Sequence, residues 1–218
     1  MLRNGEKTQR FTFRRKFNGA WHWVELVVHI FKEQFSENTY ALLYVKDVDT
    51  QKKQEIAQRE AAELDPLTGV YNRKAFREQV ESYLEDNPEE KKGALILCDL
   101  DDFKSINDRY GHIIGDSVLK YVASCLQKAF EDKHIVGRFG GDEFLAFVKG
   151  DMTKEGMSQQ MDKLFAMLKQ YKEVAVSCSV GIMFVEGKNF SYQDCMQDAD
   201  VALYKSKENG KNQYCFVE

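Results

Sequence analysis

A short stretch rich in glycine and carboxylates, residues 138–144 (RFGGDEF), constrains the fold most strongly. Apolar residues typical of β-strands run up to it over 135–139 and away from it over 144–148. The two glycines provide the backbone freedom that a tight turn between antiparallel strands requires. The pattern therefore predicts a β-hairpin whose tip carries two adjacent carboxylates, Asp142 and Glu143. Taken alone, the stretch is better explained as an ordinary polar turn.

A second acidic cluster follows another predicted strand. Residues 94–98 (ALILC) form a continuous apolar run, typical of a strand covered on both faces, and the run ends at Asp99 in the sequence DLDD. If the two inner strands are neighbours, Asp99 meets Asp142 and Glu143 at one end of the sheet. Carboxylates so close together repel one another, and a divalent cation relieves the repulsion. Oxygen ligands without His or Cys favour Mg²⁺ or Mn²⁺ over zinc. The alternative is a pair of unrelated, solvated acidic turns.

The order of apolar patterns predicts an α+β fold. From residue 93 onward it reads β-α-β-β-α-β-α-β, and its first six elements match the ferredoxin-like pattern. A helix capped by Asn72 is expected to precede this series and to end near Asp86. The other predicted elements are a helix that opens at Gly115-Asp116, helices over 153–171 and 191–208, a strand over 174–185 and a closing strand over 214–217.

The N-terminal segment, residues 1–47, predicts a short antiparallel β-structure. It contains three apolar runs, at 11–17, 21–30 and 40–45. The first two runs are separated by Asn18-Gly19, a strong signal for a hairpin turn. The order of the runs resembles the last three strands of a PAS sensor domain, and the resemblance covers only the C-terminal half of that fold.

Residues 48–64 are charged, rich in helix formers and free of glycine and proline, which predicts a connecting helix. Their apolar residues are too few to define a heptad pattern, so two interpretations remain. The helix is either a solvated connector or a short parallel coiled coil that couples a sensor to an output domain and pairs two chains. The sequence DPLTG at 65–69 ends it, because proline and glycine do not continue a helix. A separate domain is therefore expected over 65–218.

Composition limits the classes of function. The net charge of −4 gives no general attraction to nucleic acid or to an anionic membrane. No apolar run reaches the roughly 18 residues that a membrane helix requires. The five cysteines are scattered, without the CxxC pairs or histidine spacing of a zinc site. Reduced core thiols and a cytoplasmic location are expected.

Five segments resemble the GGDEF family of diguanylate cyclases in order and in spacing. They are DPLTGVYNR at 65–73, DLDDFKSIND at 99–108, RFGGDEF at 138–144, VSCSVGI at 176–182 and YKSKENGKN at 204–212. The resemblance implies a fold like the catalytic palm of nucleotidyl cyclases and polymerases. It also implies a reaction in which two GTP molecules form 3′,5′-cyclic diguanylate and pyrophosphate. Because each domain of the family holds one GTP, the resemblance further implies a homodimer.

The resemblance assigns the acidic residues to a metal site. Asp99, the Leu100 carbonyl, Asp142 and Glu143 match the family's ligands for two Mg²⁺ (or Mn²⁺) ions per active site. Asp142 also matches the residue assigned as base toward the ribose 3′-hydroxyl, so Asp142 and Glu143 are the expected catalytic pair. Two metals lower the pKa of an attacking hydroxyl and neutralise charge on the α-phosphate.

Other matched positions imply a guanine site. Asn107 and Asp116 match the family's guanine-reading pair. A carboxylate accepts hydrogen bonds from guanine N1–H and from its 2-amino group, which adenine cannot offer in the same way. Asp116 is also explained as a residue favoured at a helix N-terminus, and both roles can hold together. His112 is either a nucleotide contact or a structural loop residue.

The implied phosphate contacts are Phe103 and Lys104, with nearby backbone N–H groups, and Lys207 and Lys211 at the end of the last helix. A solvated helix end explains the two C-terminal lysines equally well. At Lys211 many relatives carry arginine, so a bidentate grip on phosphate becomes a point charge. Activity is expected to survive that change.

One departure from the family concerns regulation. Many relatives carry an Arg-x-x-Asp pair just before the signature, which binds product and inhibits the enzyme. The matching positions here are Glu131 and His134. Because Glu131 would repel a phosphate, no product inhibition is expected through this site.

Two alternative functions remain. A non-catalytic GTP-sensing or protein-interaction module could share the scaffold, but such a module is expected to have lost Asp99, Asp142 or Glu143. A cyclase with a mixed guanine–adenine product is expected to alter the position of Asp116. All four residues are present.

Overall fold

The structure is a computed structural model that describes residues 7–32, 38–86, 92–130, 134–186 and 191–217. Its contacts divide the chain into two compact units, Met1–Ala62 and Glu63–Glu218. None of the helices in the described ranges combines the length and the apolar character needed to cross a bilayer.

The first unit begins with a three-stranded antiparallel sheet, as predicted. Its strands, paired in chain order, are β1 (Lys7–Phe17), β2 (Ala20–Lys32) and β3 (Thr39–Asp47). Asn18 and Gly19 both have positive φ, 45° and 84°, which is the backbone geometry that a two-residue type I′ turn requires. A polar turn is also expected between the second and third runs, at residues 36–38, and it lies mostly outside the described residues. The likeness of this sheet to part of a PAS domain stays a prediction.

The predicted connecting helix is confirmed as α1 (Asp49–Glu63). Its first residue is buried, and the Asp49 carboxylate accepts hydrogen bonds from the Trp23 amide (3.2 Å) and contacts the Lys53 ammonium (2.7 Å). These contacts fix the start of the helix against the sheet of the same unit. Pairing of α1 with a second chain stays a prediction.

The second unit is built on a six-stranded sheet with helices on both faces. Its strands are β4 (Tyr71–Asn72), β5 (Lys92–Leu100), β6 (His134–Gly140), β7 (Glu143–Lys149), β8 (Cys178–Glu186) and β9 (Tyr214–Phe216). Their order across the sheet is β4-β6-β7-β5-β8-β9, and all neighbours are antiparallel except β4–β6 and β8–β9. The helices are α2 (Arg73–Asp86), α3 (Phe103–Tyr110), α4 (His112–Ala129), α5 (Lys154–Leu168) and α6 (Tyr192–Glu208). The predicted α+β class, a mostly antiparallel sheet flanked by helices, is confirmed.

The central strand β5 contributes side chains to two hydrophobic cores, one on each face of the sheet. Its even-numbered residues from Ala94 to Cys98 pack with α4 and α5, while Leu95 and Leu97 pack with α2 and α6. Helix α6 lies so close to β8 that a Cβ added at Gly181 would overlap backbone atoms of Ala199 and Leu203. This close approach fixes the distance of α6 from the sheet. It thereby also fixes the position of Lys207, which lies in the last turn of α6.

The structure corrects two predicted boundaries and adds elements. Helix α4 begins at His112, not at Gly115-Asp116, because Gly111 (φ 83°, ψ 161°) breaks the backbone between α3 and α4. Strand β8 begins at Cys178, not at Val174. Val174 and Val176 are buried in the core without strand pairing, so their apolar character alone was misleading. Helix α3 and the two-residue strand β4 were not predicted.

Arg138 joins the hairpin to the turn at residues 65–69. It donates through Nε and Nη2 to the Gly141 carbonyl oxygen (3.0 and 2.7 Å) and through Nη1 to the Asp65 carboxylate (3.2 and 3.3 Å). Asp65 also accepts from the Thr68 amide (2.9 Å) and hydroxyl (2.6 Å). Burial opposes ionisation of Asp65, but the bonds from Thr68 and Arg138 outweigh it and hold the pKa of this carboxyl below its ordinary value.

Replacing Arg138 by methionine is expected to lower the free energy of unfolding by about 2–3 kcal/mol, since it strips a charge-assisted partner from Asp65 and two bonds from the Gly141 carbonyl. Urea unfolding, extrapolated to water, measures the loss. The matched control is Arg77→Met. Arg77 also pairs with a carboxylate, Glu81 (2.8 Å), but their side chains are 51% and 35% exposed, against 15% and 18% for Arg138 and Asp65. The control is expected to cost less than about 1 kcal/mol. Equal losses in the two variants would contradict the role given to Arg138.

Candidate active site

Two neighbouring strands bring the three predicted carboxylates to one end of the sheet. Asp99 on β5 and Glu143 on β7 are register partners in the antiparallel pair. Asp142 lies in the turn just before β7, and its carbonyl oxygen accepts from the Leu100 amide (3.2 Å). The turn itself contains Gly141 with φ 53°, which agrees with the glycine requirement inferred from the sequence.

The charge at this end of the sheet is not balanced. Burial is the main cause that raises the pKa of Asp99, and the charges of Asp142 and Asp101 raise it further. Burial also raises the pKa of Glu143, with added repulsion from Asp99 and Asp142. Lys207 acts in the opposite direction, with its Nζ 3.0 Å from Asp99 Oδ1, but does not outweigh these effects. Burial and, to a smaller extent, repulsion between the carboxylates therefore disfavour negative charge at this site, and Lys207 offsets these effects only in part.

These residues fit a hard divalent cation by the chemistry of their donors. Carboxylate and carbonyl oxygens are the ligands that Mg²⁺ prefers, and Mg²⁺ usually keeps water and substrate phosphates among its ligands. Within the described ranges, no three His, Cys, Asp or Glu side chains form a ready group of metal ligands. The side chains present would thus hold a cation only together with other oxygens, such as the Leu100 carbonyl and those of a bound phosphate.

Asn107 and the region of Asp116 are brought together by the packing of α3 on α4. Gly115 makes this possible, because a Cβ at that position would overlap the Asn107 Oδ1 atom. Asp116 is the fifth residue of α4, beyond its first turn, where the helix dipole has little effect. The explanation of Asp116 by the helix N-terminus is weakened accordingly. His112 opens α4, four residues before Asp116 and on the same helix face, and both residues are exposed.

The predicted phosphate residues also lie around the end of β5. Phe103 and Lys104 are the first residues of α3, with Lys104 exposed. Lys207 in α6 reaches Asp99, and Lys211, just after α6, reaches Asp102 Oδ1 (2.8 Å). The two lysines therefore share one location with the carboxylates, which a purely solvated helix end would not require.

Sequence reasoning missed two residues of this region. Arg138 was seen only as part of the signature, although an arginine beside a glycine turn can bind the turn's carbonyl groups. Asp101 is buried and accepts hydrogen bonds from Ser177, Ser179 and Asn212. The alternating serines of VSCSVGI, which point to one face of an extended chain, were the available signal.

The two positions that match the family's product site are described only in part. Glu131 lies outside the described residues. His134 begins β6 and is partly buried, with its ring 6.2 Å from that of Phe130. The expectation about product inhibition therefore stays a prediction. The cysteines, in contrast, agree with the expected core thiols, since Cys98, Cys125, Cys178 and Cys195 are buried and Cys215 is partly buried.

Comparison with known proteins gives relatives of two named activities. The chain is 34% identical over 162 residues to the diguanylate cyclase DgcP of Pseudomonas aeruginosa. The aligned region covers 71% of this chain and 24% of DgcP. The chain is 30% identical over 174 residues to the cyclic di-GMP phosphodiesterase PdeR of Escherichia coli, covering 78% of this chain and 26% of that protein. The chain thus spans about a quarter of the length of these relatives.

Solved structures resemble the chain over a similar extent. The coiled coil and GGDEF domain of DgcB from Caulobacter crescentus, in complex with c-di-GMP, superposes with a TM-score of 0.70 at 25% identity. The superposed region covers 78% of this chain and 93% of the DgcB chain. The active GGEEF domain of a diguanylate cyclase from Vibrio cholerae gives a TM-score of 0.61 at 26% identity and covers 67% and 97%. The family model for "Diguanylate cyclase, GGDEF domain" matches residues 62–213. The chain therefore belongs to the GGDEF family.

Proposed function

We propose that this chain is a diguanylate cyclase, which condenses two GTP molecules into 3′,5′-cyclic diguanylate and two pyrophosphates. One observation carries the proposal: Asp99, Asp142 and Glu143 lie together at the end of β5 and β7, with more negative charge than Lys207 offsets. Burying mutually repelling carboxylates destabilises a fold, so their presence on a GGDEF scaffold supports a catalytic use. Among the named relatives are both cyclases and a phosphodiesterase, and family membership by itself does not decide between them.

In the proposed reaction, the ribose 3′-oxygen of one GTP forms a bond to the α-phosphorus of the other. The bond between the α-phosphorus and the bridging oxygen breaks, and pyrophosphate leaves; the same exchange then closes the ring. Asp142 accepts the proton of the 3′-hydroxyl. Asp99, the Leu100 carbonyl, Asp142 and Glu143 would hold Mg²⁺ or Mn²⁺. When bound, such ions lower the pKa of the hydroxyl and offset charge on the α-phosphate.

The remaining site residues recognise the nucleotide. Asn107 and Asp116 bind the guanine edge, with His112 on the same face of α4 as Asp116. Phe103 and Lys104, at the start of α3, lie where backbone N–H groups of the helix are available to phosphate oxygens. Lys207 and Lys211 bind the triphosphate. Each of these lysines already pairs with an aspartate. A bound phosphate must therefore replace the aspartate carboxylate as the partner of the lysine ammonium group.

The reaction needs two GTP molecules that face each other, and hence a homodimer. In the organisation we propose, residues 1–47 are the C-terminal part of a PAS-like sensor, 48–64 are a signalling helix that pairs two chains, and 65–218 are the cyclase domain. The cytoplasm, which supplies GTP, is the proposed location.

Purified protein with GTP and Mg²⁺ is expected to form cyclic diguanylate, read by chromatography. Asp142→Ala and Glu143→Ala are each expected to lower turnover by at least about 100-fold, the usual contribution of a catalytic acid or base. Asp162→Ala, which removes an exposed carboxylate from α5, is the matched control and should leave turnover unchanged. Equal turnover in the wild type and both site variants would refute the site. GTP binding without turnover in the wild type would instead favour the sensing module.

Product inhibition is expected to be absent or purely competitive with GTP. Initial rates at increasing concentrations of cyclic diguanylate measure it. The matched variant is Glu131→Arg combined with His134→Asp, which installs the Arg-x-x-Asp pair of the relatives and should gain inhibition. Noncompetitive inhibition of the wild type would contradict the prediction.

A further inference from the structure

A buried carboxylate at the end of β5 has no assigned role in the proposed reaction. Asp101 is 8% exposed, and it is one of only four buried polar or charged residues among those the structure describes. The two nearby lysines form their ion pairs with other carboxylates, Lys207 with Asp99 and Lys211 with Asp102. A buried ionised carboxylate is costly unless hydrogen-bond donors satisfy it.

Three donors from two other segments satisfy Asp101. The Ser179 hydroxyl donates to Oδ1 (2.7 Å), and the Ser177 hydroxyl donates to Oδ2 (2.9 Å). The Asn212 backbone N–H also donates to Oδ2 (3.0 Å). In addition, the Asp101 amide donates to the Ser177 carbonyl oxygen (3.0 Å). One side chain thus ties the loop after β5 to the start of β8 and to the turn after α6.

The turn that Asp101 holds has an unfavourable backbone conformation. Lys211 (φ 62°) and Asn212 (φ 48°) both lie in the left-handed region, and so does Asp102 (φ 54°). These are three of the four non-glycine residues with positive φ in the described ranges. Asn and Asp adopt this region more readily than other non-glycine residues, so the conformation is least favourable at Lys211, and residues held in such conformations cluster at functional sites.

The conformation of this turn decides where Lys211 lies. Lys211 precedes the residue whose N–H is bound by Asp101, and its ammonium group reaches Asp102, directly before the first residue of α3. The other side of the turn is fixed to α6, because the Lys211 amide donates to the Ser206 carbonyl oxygen (3.2 Å). A relaxed turn would carry the lysine backbone, and with it the ammonium group, away from the start of α3.

We propose that Asp101 is a positioning residue for the triphosphate. Its carboxylate holds residues 211–212 in the left-handed conformation and so keeps the Lys211 ammonium beside the start of α3, while Asp101 itself does not touch the nucleotide. The identity of the ligand rests on the proposed function. The role of Asp101 in holding the turn rests only on the contacts and dihedral angles above.

The first measurement tests the turn without any nucleotide. Hydrogen–deuterium exchange of the full chain is compared for the wild type, Asp101→Asn and Asp162→Asn, the last being the same change on the exposed face of α5. In Asp101→Asn, an NH₂ group, which cannot accept a hydrogen bond, replaces one of the two carboxylate oxygens. Peptides that cover 209–213 are therefore expected to exchange at least about tenfold faster. Unchanged exchange in these peptides would overturn the proposal, whether or not the protein is a cyclase.

The second measurement tests the triphosphate, with 3′-deoxy-GTP and 3′-deoxy-GMP as probes that lack the attacking hydroxyl. Asp101→Asn is expected to weaken 3′-deoxy-GTP binding about tenfold and to leave 3′-deoxy-GMP binding within about twofold, whereas Asp162→Asn changes neither. Equal weakening of both probes would show a general structural role and overturn the proposal. Failure of the wild type to bind either probe would refute the proposed function and the triphosphate role together, and the exchange measurement would still decide the role of Asp101 in the turn.

A third variant covers the case in which Asp101→Asn does not fold. Ser177→Ala removes one of the three donors and leaves the carboxylate and the Asn212 contact in place. It is expected to show the same selective loss for the triphosphate probe, about two- to threefold. Rescue of part of this loss by Ser177→Thr, which restores the hydroxyl, is expected as well. No difference between the alanine and threonine variants would count against the proposal.

Discussion

The burial of mutually repelling carboxylates at the end of β5 and β7 is the constraint on which the rest of the site depends. Register pairing places Asp99 opposite Glu143, and the hairpin turn places Asp142 beside them. A slip of one residue in this register would send these side chains to the other face of the sheet. The two cores that alternate along β5 prevent such a slip, because each face is covered by two helices. The hydrophobic core therefore stabilises an arrangement that its charges alone would oppose.

Two hydrogen-bonded groups hold the turns that surround these charges. Arg138 binds the turn of the hairpin and the turn at 65–69, and Asp101 binds the start of β8 and the turn after α6. Each is a charged group with several well-formed bonds, the condition under which a buried charge is tolerated. Gly181 adds a third constraint, since only a glycine lets α6 approach β8 closely enough to bring Lys207 to Asp99.

The sequence indicated most of the fold, because apolar periodicity and turn residues are local signals. The hairpin, the cap at Asn72 and the three N-terminal strands were predicted in this way and are confirmed. The start of α4 was wrong, since the break depends on the dihedral angles of Gly111, and the sequence shows glycine but not its conformation. The site residues were predicted from five motifs, whereas the partners of Asp101 come from segments far apart in the chain. Such contacts exist only once the chain is folded: the alternating serines at 177 and 179 indicate a polar face, but not which residue they bind.

The central claim is that unbalanced negative charge at this end of the sheet serves to bind a divalent cation. Thermal unfolding of the wild type and of Asp99→Asn, each with and without Mg²⁺, tests it most directly. Burial disfavours ionisation of Asp99 in the folded protein and so raises its pKa. The folded state therefore loses stability as the pH rises from the pKa of Asp99 in the unfolded chain to its higher pKa in the folded protein. Asp99→Asn removes this loss at neutral pH. We predict a higher Tm for the metal-free variant than for the metal-free wild type, and a rise in Tm with Mg²⁺ in the wild type alone. An equal response to Mg²⁺ in both proteins, or none in the wild type, would contradict the claim.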